Sequence, residues 1–363
     1  MMKESTPMNK SKRLESLDIL RGMTVAGMIL VNNGYGESFE MLQHVEWNGM
    51  TPCDLVFPFF LFIMGISCYL SLSKSQFTAT RPVLFKVVKR TVLLFAIGLF
   101  INWFDNAIWG DPLCFGHLRI WAVLQRIALC YFFVSMFALY CNHRYTLPTI
   151  IALLAIYTVI LLVGNGYSQD ASVNVLAQVD LNLFGYDHLY HKGPVDPEGL
   201  VGTISGVAHV LLGFYCGKLI KERETIEQKV LAIFTLGAIC VIAGYLLSYG
   251  LPLNKRIWSP SYVFMTCGLA SLLLGLFSRG ENSHLVPRTF FKIFGVNALA
   301  LYVGSELLAI LFGFFGISPV IYDTLHAIIP AEKWASLAYA LTFVGINFLI
   351  GYILWKRKIF IKL

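Results

Sequence analysis

Between positions 32 and 54 the chain gathers Asn32, Asn33, His44, Glu46, Trp47, Asn48, Thr51 and Asp54. A histidine, a carboxamide and a carboxylate together supply a base or nucleophile, a donor to a developing oxyanion, and a group that orients the imidazole. His44 has Trp47 and Asn48 close behind it and Asp54 ten residues on. Group transfer at His44, with Asp54 orienting it, is the chemistry this cluster offers; a solvated loop histidine is the plainer alternative. Metal chemistry lacks its signals, since there is no HExxH, and His188 and His191 have neither a nearby cysteine nor a third histidine at ligand spacing. No metal is expected. The motifs GxSxG, the P-loop and GxGxxG are also missing, which removes the usual hydrolase and nucleotide-hydrolysing readings.

These residues sit in a chain of 363 residues that is 57% hydrophobic and 13% charged, with mean hydropathy +0.67. A soluble domain carries about 25% charged residues. A soluble enzyme is therefore excluded, and at about 20 apolar residues per crossing the length has room for about ten spans. The expected fold is all-α, a polytopic bundle with spans near 17–34, 55–73, 84–103, 119–140, 147–164, 201–219, 229–249, 260–278, 289–316 and 334–354, an eleventh being left open. The glycine-bearing 289–316 stretch is either one tilted helix or a broken one. A β-barrel would need many alternating segments of about ten residues, and these are lacking. The lack of a cleavable signal points to a bacterial-type inner membrane.

Orientation follows from the placement of cations. Of the 28 Lys and Arg, 21 fall at the N-terminus, in alternate loops and in the C-terminal tail, against five in the remaining loops. Both termini are therefore expected in the cytoplasm. The resulting plan is a basic cytoplasmic tail over 1–16, a transmembrane unit over 17–355 and a second basic tail over 356–363. Loops 35–54, 165–200 and 251–259 lie outside the cytoplasm. The net charge of +7 reflects this bias, and no nucleic-acid partner is expected. Loop 165–200, with Asp170, Asp180, Asp187, His188, His191, Asp196 and Glu198, reads as a folded lid or vestibule. Of the eight cysteines only Cys53 and Cys114 fall in outer loops, and no disulfide framework is expected.

An ionisable side chain near the bilayer centre costs about 2.5 to 3.5 kcal/mol on insertion scales, so each needs a partner or a purpose. Asp18 and Arg21, three apart on one helix face, pair with each other or bind an anionic ligand at the cytoplasmic end. Gln125 and Arg126 interrupt the fourth span, and Glu306, beside Asn297 and Ser305, is the candidate partner for Arg126. Lys255 and Arg256 break the charge bias; with Trp258 they suit a sugar or an anionic glycan, or else they are solvated loop charges.

Several stretches, in one order, resemble the heparan-α-glucosaminide N-acetyltransferase family: RLESLDILRG at 13–22, MILVNN at 28–33, HVEWNGMTPCDLVFPFF at 44–60, LRI at 118–120 with VLQRI at 123–127, DPEGL at 196–200, NKRIWS at 254–259 with SYV at 261–263, and GVNA at 295–298. The resemblance implies transfer of an acetyl group from cytoplasmic acetyl-CoA to the amine of a glucosamine-type sugar or glycan across the bilayer. It places the family's active-site histidine on His44 and its asparagine on Asn32, with Asn33 the alternative because of one extra residue between the two. Arg21, Gln125 and Arg126 would then bind the acetyl-CoA, and Trp47, Asn48, Glu198, Lys255 and Trp258 would line the acceptor site. A homodimer is implied as well. Two other classes fit the residues alone: an amino-sugar transporter, although no two-fold repeat is visible, and a membrane O-acyltransferase acting on a cell-envelope glycan.

Overall fold

The computed structural model describes residues 15–110, 112–113, 115–279 and 287–361. Cys114, the basic residues of the 1–14 tail, part of the 279–292 loop and the last two residues of the C-terminal tail lie outside the described residues. The described residues are mostly helical. The order is α1 (Glu15–Asn32), α2 (Val56–Leu72), α3 (Arg81–Ile108), α4 (Val123–Tyr140), α5 (Thr146–Val163), α6 (Val175–Phe184), α7 (Thr203–Glu222), α8 (Ile226–Ser248), α9 (Pro260–Arg279), α10 (Arg288–Val296), α11 (Ala298–Phe314), α12 (Ile317–Ile328) and α13 (Glu332–Lys356). A helix matches each expected span. Among the described residues seven helices are long and apolar enough to cross a membrane, or eight when α10 and α11 count as one bent span.

The bend resolves the choice posed by 289–316. α10 and α11 meet at 82°, and Asn297 sits at the break with its carboxamide turned to another strand of chain. Its Nδ2 donates to the Ile359 carbonyl (3.0 Å) and its Oδ1 accepts from the Ile361 N–H (2.9 Å). The C-terminal tail is therefore pinned back onto the bundle through residue 361.

Two close helix contacts set the frame. α1 lies against α10 at Gly22 and Gly295, and α2 lies against α7 at Gly65 and Gly213; a Cβ at any of the four would fall within about 2 Å of a backbone oxygen on the facing helix. Small residues allow this approach, and packing rather than the hydrophobic effect drives helix association in lipid. Around the contacts runs one continuous apolar core that includes Leu20, Leu61, Phe62, Ala128, Val210, Phe214 and Val263.

Three of the loops pack against one another. At one end the 33–55 segment meets 164–202 through Trp47 Nε1 to the Tyr167 carbonyl (3.0 Å), and meets 249–259 through Asn254 Nδ2 to Asn48 Oδ1 (3.1 Å). At the other, Lys292 pairs with Glu15 (3.0 Å). Segment 165–200 is folded. Asn174 caps α6 with its side chain, and a second small core of Trp47, Tyr157, Leu161, Leu176, Val195 and Ile257 anchors it.

Candidate active site

The turn before α2 builds the centre of the site. Thr51 and Asp54 form a reciprocal capping box around Pro52 and Cys53, so that Asp54 is held from both sides as α2 begins. Its Oδ2 accepts from the Thr51 N–H (3.1 Å), the Thr51 hydroxyl (3.1 Å) and the Val45 N–H (3.3 Å). Its Oδ1 faces His44 Nδ1 at 2.8 Å and Lys255 Nζ at 3.2 Å. The Asp54 side chain is 1% exposed and that of His44 50%. A buried, fully bonded carboxylate thus backs an imidazole that opens outward. Donation of an Nδ1 proton to Asp54 would leave Nε2 its lone pair, the form a base or nucleophile requires.

The two asparagines separate. Asn33 is buried and donates to the Ile29 carbonyl within its own helix (2.8 Å). Asn32 is exposed and its Nδ2 donates to Glu306 Oε1 (3.1 Å). Asn32 is therefore the one turned to the open end of the bundle, although among the described residues no hydrogen bond joins it to His44. Glu306 is taken up by Asn32, which corrects the expected pairing with Arg126.

Arg126 turns toward the outer loops. Its Nη2 donates to the Gly199 carbonyl (2.9 Å) and its guanidinium lies 5.2 Å from the centre of the Trp258 ring. Arg119 bridges Asp196 (3.0 Å) and Glu198 (2.9 Å) and covers the Tyr190 ring at 4.7 Å. The DPEG turn is thus clamped by two arginines, and Glu198 is committed to an ion pair. Trp47 and Trp258 are 6% and 1% exposed. Trp47 belongs to the second core, and Trp258, at φ +54°, packs edge-on against Phe57 and Tyr262. Neither ring presents a face on which a sugar could stack, which corrects that expectation. Asn48 is exposed and held by Asn254.

Asp180 lies beneath the same turn. Its Oδ1 accepts from the Leu200 N–H (3.0 Å). Burial pushes its carboxyl up from 3.8 to about 6, reinforced by Asp196 and opposed by the Leu200 hydrogen bond and Arg126. Between those values the folded protein holds a proton that the unfolded chain has lost, so stability falls as pH rises from about 4 to 6. By this route Asp180→Asn removes a penalty of about 1–3 kcal/mol at neutral pH and almost none at pH 4. Thermal unfolding in detergent at both pH values checks this; an equal effect at both would sink it.

Further along α2 lies a cavity of about 270 Å³ lined by Arg21, Ser67, Arg90, Gly295, Leu299 and Ile361, among others. Arg21 bonds Asp18 (2.9 Å) and Ser67 (2.8 Å), and Arg90 lies 4.6 Å from the centre of the Tyr131 ring. Of the three side chains expected at a cofactor site, only Arg21 lines the cavity. α4 contributes Ile127 to it, while the Gln125 carboxamide fills the space left by Gly98 of α3. Arg90 was legible as a cation inside the third apolar run, the same signal that marked Arg126. Among the described residues no group of three or more His, Cys, Asp or Glu is placed to hold a metal ion.

Fold and site together define a multi-pass helical membrane protein with a carboxylate-backed histidine at one end of its bundle and a cation-lined cavity nearer the other. Residues 13–247 match the family described as heparan-alpha-glucosaminide N-acetyltransferase, catalytic, and the chain belongs to that family. It is 28% identical to the heparan-alpha-glucosaminide N-acetyltransferase of Mus musculus over 99% of this chain and 62% of the relative. It is 29% identical to that of Homo sapiens over 97% of this chain and 60% of the relative. The chain thus spans about three fifths of the length of both relatives.

Proposed function

We propose that the protein moves an acetyl group from acetyl-CoA, taken from the cytoplasmic side, to the amine of a glucosamine-type sugar or glycan on the far side of the membrane. It would do so as a homodimer in a bacterial-type inner membrane. α1 and α3 cross as well in this reading, giving ten crossings with the bent pair as one and both termini in the cytoplasm. The observation that carries the proposal is the Asp54–His44 pair at the outer end with a cation-lined cavity on the inner side. Along α2, Ser67 and Phe60 of the cavity are seven residues apart, or about 10 Å at 1.5 Å per residue, and Asp54 is about 9 Å beyond Phe60. A long thioester arm anchored by phosphates near Arg21 and Arg90 would point toward His44.

His44 then removes a proton from the acceptor ammonium, so that nitrogen attacks the thioester carbon, the C–S bond breaks and the departing CoA thiolate takes a proton back from the imidazolium; or His44 carries the acetyl group itself, with the thiolate leaving first. Asn32 donates to the carbonyl oxygen as charge develops there, a contribution of about 2.7–4 kcal/mol on the scale of one oxyanion donor.

Purified protein incubated with radiolabelled acetyl-CoA and glucosamine tests the reading. Acetylated sugar is expected, and Arg90→Ala should raise the KM for acetyl-CoA about tenfold with kcat held, as loss of one charged phosphate contact would. Folded protein that yields no product over a panel of amino sugars and glycans would overturn the proposal.

A further inference from the structure

Lys255 is expected, from its sequence surroundings, to meet a sugar or an anionic glycan. Its ammonium is placed otherwise. Nζ lies 2.9 Å from His44 Nδ1, 3.4 Å from His44 Nε2 and 3.2 Å from Asp54 Oδ1, and the side chain is only 17% exposed. A lysine at the rim of a vestibule reaches water by extending its flexible stem; this one is folded inward, onto the same carboxylate oxygen that His44 uses.

The loop that delivers it is rigid. Asn254 Oδ1 accepts from the Ile257 N–H (3.1 Å), the Asn254 N–H donates to Ser259 Oγ (3.1 Å), and the Tyr157 hydroxyl donates to the Ile257 carbonyl. Asn254 also ties the loop to Asn48, four residues after His44. Lys255 is thus presented to the histidine from a loop cross-linked to the histidine's own segment.

Among the described residues, the charged or titratable groups against the His44 ring are Asp54 and Cys53 from the turn before α2 and Lys255 from the turn before α9. A lone buried carboxylate against an imidazole favours the imidazolium, which is useless as a base or nucleophile. A second cation on that carboxylate oxygen acts in the opposite direction. It satisfies the negative charge and repels a proton arriving on the ring.

We propose that Lys255 is a positioning residue that holds the His44 imidazole unprotonated by sharing Asp54 Oδ1 with it. This rests on the transferase reading for its purpose and not for its physics, so the two are tested apart. Diethyl pyrocarbonate acylates the neutral imidazole only, and the rate of His44 modification against pH, read by mass spectrometry of its peptide with no substrate present, reports the protonation midpoint directly. In Lys255→Met the midpoint should rise by about one pH unit, the lower end of what one adjacent charge produces. Lys255→Arg, which keeps the charge, should return it toward the wild-type value. Lys255→Gln serves as the second neutral variant if the methionine variant does not fold.

The acid limb of kcat/KM for acetyl transfer should move with the midpoint. An unchanged midpoint in the neutral variants, with acceptor KM raised instead, would make Lys255 a substrate contact and overturn the inference while leaving the transferase reading intact. A raised midpoint in a protein that forms no product would uphold the inference and defeat that reading.

Discussion

Alanine at position 44 is expected to lower acetyl transfer at least about a thousandfold without unfolding the protein, because it removes the proton acceptor or acyl carrier and nothing structural. The side chain is half exposed, and its loss leaves Lys255 still paired with Asp54 at 3.2 Å. No charge is stranded, so little stability should go with it. Asp54→Ala is the opposite case. It would strip the acceptor from the Thr51 N–H and the Val45 N–H and leave Lys255 without its carboxylate, so it should cost both activity and fold. Initial rates at saturating acetyl-CoA and glucosamine, with thermal midpoints for each variant, separate the two. If His44→Ala kept more than about a tenth of the wild-type rate, far above the residue left when a general base is lost, the chemistry would have to lie elsewhere.

Much of this was legible because a membrane makes polarity expensive. Hydropathy alone locates the long helices, since each apolar run must satisfy its own backbone. The alternating cation bias groups certain loops on one side, and in the structure segments 33–55, 164–202 and 249–259 touch one another. His44 and Asp54 were legible because the carboxylate follows the histidine within one loop. What sequence could not give is which way a buried polar side chain turns. Gln125 and Arg126 are consecutive on α4, yet one fills the gap at Gly98 and the other reaches up to Gly199. Likewise Trp47 and Trp258 occur beside polar residues, as sugar platforms do, but each has its ring in a core. Adjacency in sequence carries no information about burial in loops that fold back, and α6 and α12 were missed because short helices leave only a weak periodic signal.

A single added methyl group at Gly213 should cost the protein a large part of its stability. α2 and α7 touch backbone to backbone there: a Cβ on Gly213 would lie 2.1 Å from the Phe62 carbonyl oxygen and 2.9 Å from its carbon, and reciprocally a Cβ on Gly65 would lie 2.1 Å from the Val210 oxygen. The obstacle is backbone on both sides, so no side-chain rotation relieves it. The two helices would have to separate, which breaks the packing of Phe62 and Phe214 in the main core. Overpacking of this kind costs about 3 kcal/mol or more. Gly304→Ala is the control. Nothing lies within 4 Å of a Cβ at that position in α11, and there alanine should be neutral or stabilise by up to about 1 kcal/mol through helix propensity. Thermal unfolding of both variants in the same detergent decides the matter. Equal midpoints would mean that α2 and α7 are not in backbone contact, and His44, whose orienting Asp54 stands at the start of α2, would then lack the rigid support that this reading of the site requires.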